Sequence, residues 1–204
     1  PALVRTDPLA LISYVEKMQI AALDVTPTIL KAMIAVGFGS EISTLPRTIL
    51  VGGEEFSQDL WDTVSRWRGC DVWNVYGPTE ATVNTLVARV RETPYATLGF
   101  PLDQVQVAAV NERGYEVAAG TVGELQIAGA GVALGYVGAS DGENRNFSQS
   151  GTGARFYRSG DYVRQLADGS YEYIGRRDEQ VKLTGQRFEL GEVRARILEQ
   201  SDIT

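Results

Sequence analysis

The chain has 204 residues, a formal net charge of −7, one cysteine and no histidine. That length buries the core of one large domain or of one and a half smaller ones, and the acidic balance argues against a nucleic-acid surface, which needs a dense basic patch. Without histidine the Ser-His-Asp and Cys-His arrangements and the usual zinc sites are excluded, so any chemistry rests on positioning, on carboxylates holding a hard cation, or on Lys, Arg and backbone donors. The single Cys70 permits no internal disulfide and reads as a small buried residue. No run of about 18 apolar residues is present, so no membrane-spanning helix is expected. The start, "PALVRTDPLA", lacks the basic-then-apolar order of a secretory signal and has no Met. A piece of a longer chain in a reducing, cytoplasmic setting is expected.

Residues 7–19 read as a helix, with Asp7 at the N-cap and Pro8 in its first turn. "AALDV" (21–25) is a short strand, and 26–36 is a second helix capped by Thr26 and ended by Gly37. "RTILVGG" (47–53) is a strand running into glycines; 57–69 is an amphipathic helix with Leu60, Trp61, Val64 and Trp67 on one face; "DVWNVY" (71–76) is a further strand. This alternation predicts βαβ units and a parallel sheet, in which ligands bind beyond the carboxyl ends of the strands. Both "VGGEE" (51–55) and "YGPTE" (76–80) fall at such ends, and a second strand-like run, "TVNTLVARV" (82–90), follows the latter. After about Pro94 the texture changes to short strands separated by Gly, Asn and Asp turns, with "ADGS" (167–170) as a tight hairpin turn, which predicts a small antiparallel sheet or barrel. The polar, Gly-rich segment 140–153 reads as an exposed loop, and a helix is expected to start near Glu192.

Four stretches can carry chemistry. The glycines of "VGGEE" let a ligand lie against the backbone, or serve a plain strand-to-helix turn. In "NVYGPTE" (74–80), Thr79 can donate to a phosphate oxygen, Glu80 can bind Mg²⁺ and Tyr76 offers a flat aromatic face, or the stretch is a solvated Gly-Pro turn. Asp161 of "YRSGDYV" can accept both hydroxyls of a ribose, or is a turn Asp. The charge-dense segment 175–192 is a solvated linker, or a hinge and loop presenting Arg, Lys and Glu to a site.

In order and spacing these stretches resemble the adenylation domains of nonribosomal peptide synthetases, within the adenylate-forming superfamily that includes acyl-CoA ligases and luciferases. "NVYGPTEATVN" is similar to "NxYGPTE", and "GELQIAGAGVALGY" to "GELxIxGxGxARGY". "YRSGDYVRQLADGSYEYIGRRDEQVKLTGQRFELGEV" is similar to "YRTGDxxRxxxDGxxEYxGRxDxQVKxxGxRxExxEV". The resemblance implies activation of an amino acid with ATP and Mg²⁺ to an aminoacyl-adenylate, then transfer to the phosphopantetheine thiol of a carrier protein. Carrier and condensation domains of the same chain are the implied partners. The first nucleophile is an ionised carboxylate, which needs no imidazole base.

Carried onto this sequence, the resemblance implies that Gly53 and Asn74 contact the adenine and Tyr76 stacks on it. Thr79 touches the α-phosphate, Glu80 holds Mg²⁺, Asp161 binds the ribose, Tyr173 lies by the nucleotide and Arg176 bonds the ribose or phosphates. Asp178 matches the hinge of a C-terminal lid, and Lys182 with the Gly185 loop belongs to the mobile side, Lys182 joining Thr79, Glu80 and Arg176 as a catalytic residue. Positions similar to an amino-acid pocket are Asp24, Leu50, Gly52, Val75, Val83 and Asn84. For Leu50, Val75 and Val83 the plainer reading is core strand, and for Asp24 a helix cap; in a pocket, Asp24 suits a polar or cationic substrate side chain. The implied fold is the second α/β half of a large subdomain (1–96, parallel doubly wound sheet), a β-barrel-like subdomain (97–177) and the start of a lid (178–204). Departures are Ser159 for the usual Thr and Leu134 for a common Arg. The Ser/Thr/Gly-rich phosphate loop, the Asp that pairs with the α-amino group, and the lid with its catalytic Lys have no counterpart here, so the chain alone is expected to be inactive. The alternatives are an aryl- or fatty-acid ligase of the same superfamily and a non-catalytic nucleotide-binding module.

Overall fold

Asp7 and Pro8 start the first helix, α1 (Pro8–Lys17), in the computed structural model, which describes residues 7–40, 44–140, 142, 144–151, 153–177, 180–183, 186–189 and 196–197. The Asp7 carboxylate accepts from the amides of Leu9 and Ala10 at 3.0 and 3.2 Å, satisfying donors that the first turn leaves open. Thr26 caps α2 (Pro27–Ala35) through the Ile29 amide. That helix has a second acceptor that sequence spacing does not suggest: Glu54 takes the Thr28 amide at 3.1 Å and its hydroxyl at 2.5 Å. Helix α3 (Gln58–Ser65) follows.

The contacts divide the chain into two compact units, the first running to Tyr76 and resuming over Leu86–Phe100, the second comprising Gly77–Thr85 and the chain from Pro101 on. In unit 1, β1 (Ala22–Val25), β2 (Thr48–Gly52) and β3 (Asp71–Tyr76) pair in parallel, and β4 (Leu86–Arg89) pairs antiparallel with β3. The order is β1-β2-β3-β4-β5, with the two-residue β5 (Phe100–Pro101) at the edge. Alternate residues Val25, Ile49, Val51, Val72 and Ala88 form the core with Leu30 and Met33 of α2, Leu60, Trp61 and Val64 of α3, and Trp67. Each large side chain buried there contributes about 1.5–3 kcal/mol of transfer free energy. Leu11 and Ile12 of α1 pack on the same cluster, so among the described residues the helices cover one face of the sheet rather than two. The other face is open enough to leave Leu50, Gly52, Trp73 and Val75 half-buried and Asp24 exposed.

In unit 2, β6 (Gln106–Val110), β7 (Val122–Ala128), β9 (Arg155–Gln165) and β10 (Tyr171–Arg176) form an antiparallel sheet in the order β10-β9-β7-β6, and β8 (Phe147–Gln149) pairs with β9. The hairpin turn at 167–170 is as its composition predicts, with the Ser170 amide on the Asp168 carboxylate. The expected barrel is an open sheet: among the described residues no ladder joins β10 to β6, and the Tyr171 hydroxyl donates to the Val107 carbonyl at 3.3 Å. Strand β8 corrects the reading of 140–153 as loop alone; its polar side chains hid a backbone pairing with β9. Strands β11 (Gln180–Leu183) and β12 (Gln186–Glu189) form a separate hairpin. Apart from helical Arg196 and Ile197, the helix expected near Glu192 lies outside the described residues.

Candidate functional site

Unit 1 brings four of the six pocket candidates onto one surface. Asp24 pairs with Leu50, and Gly52 with Val75, in parallel register, so their side-chain positions share the face opposite the helices. All four lie at or within two residues of a strand's carboxyl end, where open parallel sheets bind ligands. Trp73 and Val87 extend the same face, and the Arg89 guanidinium lies 5.5 Å over the Trp73 ring. Gly52 is required there by packing: a Cβ would sit 2.5 Å from the Val75 carbonyl oxygen. Asn74 and Tyr76 point to the other face, buried at 5 % and 9 % exposure, and the Asn74 amide group donates to the Thr97 carbonyl at 2.7 Å. Gly53 follows β2 with φ +84°, backbone that favours glycine.

Unit 2 holds the loop after β3. Its Thr79–Ala81 segment is a 3-10 turn with Thr79 exposed and Glu80 buried. The strand read from Thr82 onward begins only at Leu86, because Thr82 and Val83 both turn left-handed at φ +60° and +67°. Val83 is therefore not core strand; it is 63 % exposed. Asn84 is half-buried, its amide bonded back to the Thr82 carbonyl. The loop is strapped by 131–133: the Thr82 hydroxyl donates to the Gly131 carbonyl at 2.7 Å and the Ala133 amide to the Glu80 carbonyl at 2.9 Å. The Tyr136 hydroxyl donates to the Glu80 carboxylate, and Asn144 in turn accepts from the Tyr136 amide. Glu80 is thus a buried, oriented carboxylate. Among the described residues no three metal-ligating side chains cluster. One oriented carboxylate fits Mg²⁺, which binds through one or two carboxylates and takes its other ligands from phosphates and water.

On β9 and β10, Asp161 and Arg176 stand directly opposite each other, and the guanidinium donates to the carboxylate at 2.9 Å with both side chains nearly buried. Arg176 also reaches the Ser159 carbonyl, and the Asp161 amide donates to the Ser159 hydroxyl. Such a pair offers acceptor and donor atoms side by side, the complement of a diol or a phosphate ester. Tyr173 is half-buried on β10, opposite Val163. Lys182 lies on β11 opposite Arg187, while Asp178 and Gly185 lie outside the described residues. Glu124, Tyr136 and Arg158 lie inside the motif-like stretches 123–136 and 157–163 but are not marked by them as functional. Their roles depend on cross-strand and loop contacts over tens of residues, which no local pattern marks. Cys70 is buried, and burial with the neighbouring Asp71 pushes its thiol up to about 11, so it is no nucleophile.

A family model described as "AMP-binding enzyme" matches residues 1–137. The AMB antimetabolite synthetase AmbE of Pseudomonas aeruginosa is 45 % identical over 201 residues, 98 % of this chain and 10 % of AmbE. An NRPS protein containing adenylation and PCP domains, solved bound to a vinylsulfonamide inhibitor, superposes with TM-score 0.85 at 28 % identity, over 95 % of this chain and 35 % of that one. The Vibrio cholerae adenylation domain AlmE, solved with glycyl-adenosine-5'-phosphate, gives TM-score 0.84 at 27 % identity, over 98 % and 39 %. The chain thus spans about a tenth of one relative and little more than a third of the solved chains. The motif matches, the two-sheet architecture and the family model agree: this chain belongs to the AMP-binding enzyme family.

Proposed function

We propose that this chain is part of an adenylation domain that activates an amino acid with ATP and hands it to a carrier-protein thiol. The observation that carries the reading is the buried Asp161–Arg176 pair, in the same unit as the buried, oriented Glu80. Asp161 accepts the ribose hydroxyls. Arg176 donates to the ribose or phosphates and, through its 2.9 Å bond, aims the Asp161 carboxylate. Thr79, exposed at the start of its turn, donates to the α-phosphate. Glu80 holds Mg²⁺, which neutralises phosphate charge when bound. The substrate carboxylate then attacks the α-phosphorus: an O–P bond forms, the bond to the β-phosphate breaks, and pyrophosphate leaves with the electron pair. No side chain needs to remove a proton, because the nucleophile is already an anion; the protein's work is alignment and charge stabilisation. In the second half-reaction the phosphopantetheine thiol takes the acyl group and AMP leaves. The adenylation–PCP architecture of a similar solved protein supports a carrier domain as partner.

The test is an ATP titration of the full-length synthetase domain with and without Mg²⁺. Wild type is expected to bind ATP more tightly with Mg²⁺, and Glu80→Gln to lose that increment, about tenfold, while still binding adenosine. Equal Mg²⁺ dependence in both proteins rejects the role given to Glu80.

A further inference from the structure

A second acidic residue of unit 2, Glu124 on β7, is buried more deeply than Glu80, at 3 % exposure, and no role in the reaction has been given to it. Burying a carboxylate is costly unless it is paired and hydrogen-bonded, and Glu124 is both. It takes the Arg158 guanidinium, the Arg177 guanidinium at 3.2 Å and the Gly160 amide at 3.2 Å. Arg158 is fixed in turn by the Asn111 and Glu112 carbonyls.

Its partners lie next to the Asp161–Arg176 pair. Gly160 precedes Asp161 and sits at φ +76°, where the β7–β9 register also shifts. Arg177 follows Arg176, and its amide donates to the Gly160 carbonyl at 2.7 Å. Glu124 therefore grips β9 one residue before Asp161 and the chain one residue after Arg176. Pairing of β7 with its neighbours needs no carboxylate at this position.

We infer that Glu124 is a positioning residue for nucleotide recognition: by clamping Gly160 and Arg177 it sets the spacing at which Asp161 and Arg176 meet a ribose. This rests on the nucleotide reading of Asp161 above. The test compares ATP with 2′,3′-dideoxy-ATP, binding each to the full-length synthetase domain. Wild type is expected to prefer ATP by about tenfold, because a buried acceptor left without its hydroxyl partners is penalised. Glu124→Gln is expected to shrink that preference about fivefold, with the amino-acid KM unchanged, since misplacement of a binding group degrades the contact it makes. Arg177→Ala, at a side chain more than half exposed, shrinks it less, and Arg177→Lys keeps it. A merely structural role lowers Tm without moving the ratio. Should Glu124→Gln fail to fold, the Arg177 pair of variants decides. A wild-type ratio near one rejects the ribose role of Asp161. A high wild-type ratio that persists in Glu124→Gln and Arg177→Ala rejects the clamp alone.

Discussion

A carboxylate on a sheet face is costly to cover unless the covering molecule brings a donor or a positive charge. Asp24 stands in that position, exposed beside half-buried Leu50 and on the face that carries Gly52, Val75 and Trp73. As a helix cap it is ruled out by place: it lies within β1, and Thr26 caps α2. A pocket that includes Asp24, as proposed, suits a substrate with a polar or cationic side chain. Asp24→Ala should shift preference toward apolar acids, lowering kcat/KM for the native substrate by about tenfold or more, the cost of losing one charged hydrogen bond. Measuring exchange rates across a substrate panel checks this, and an unchanged preference order removes Asp24 from the pocket. At this scale Glu80, Asp161 and Arg176 were legible from residue type as chemistry-bearing candidates, and the fold holds the first two buried and the third nearly so. Glu54 was not, because its bond to Thr28 spans 26 residues and nothing near either residue announces it.

Among the elements, the Gly77–Thr85 loop is tightly constrained. A Cβ on Gly77 would lie 2.3 Å from the Val83 carbonyl oxygen and 2.9 Å from the Thr85 amide nitrogen. Val83 itself holds a left-handed backbone, which costs a β-branched residue roughly 1–3 kcal/mol. The strap from Gly131 and Ala133 holds the loop in that state. Gly77→Ala should therefore destabilise the protein by about 2–3 kcal/mol, a clash cost typical of a crowded backbone position. It should weaken ATP binding as well, since Thr79 and Glu80 ride on this loop. Thermal unfolding and ATP titration test this; a variant with wild-type Tm and affinity shows that the loop tolerates the added carbon. Helix caps and parallel strands were read from sequence because their signals are local: Asp7, Thr26 and the alternation of buried positions in β2 and β3. The turn at Thr82–Val83 was misread as strand because neither residue is a type that prefers φ > 0. The open edge of the second sheet was missed because closure depends on whether β6 and β10 pair, which no strand encodes by itself.

For the molecule as a whole, the absence of histidine is consistent with chemistry whose nucleophile arrives already ionised. The family is shown by the match over residues 1–137 and by the relatives, and the chain spans little more than a third of the two solved chains, so the reaction is proposed for the full-length domain. No described helix is long and apolar enough to cross a membrane. The most direct test of the account is ATP–pyrophosphate exchange by the full-length domain containing this chain, across amino, aryl and fatty acids. The account predicts exchange that depends on one amino acid or a few with polar or cationic side chains, and that falls by at least about a hundredfold in Asp161→Ala, the loss typical of a misplaced nucleotide. Exchange driven by aryl or fatty acids alone, or no exchange with any acid, contradicts it.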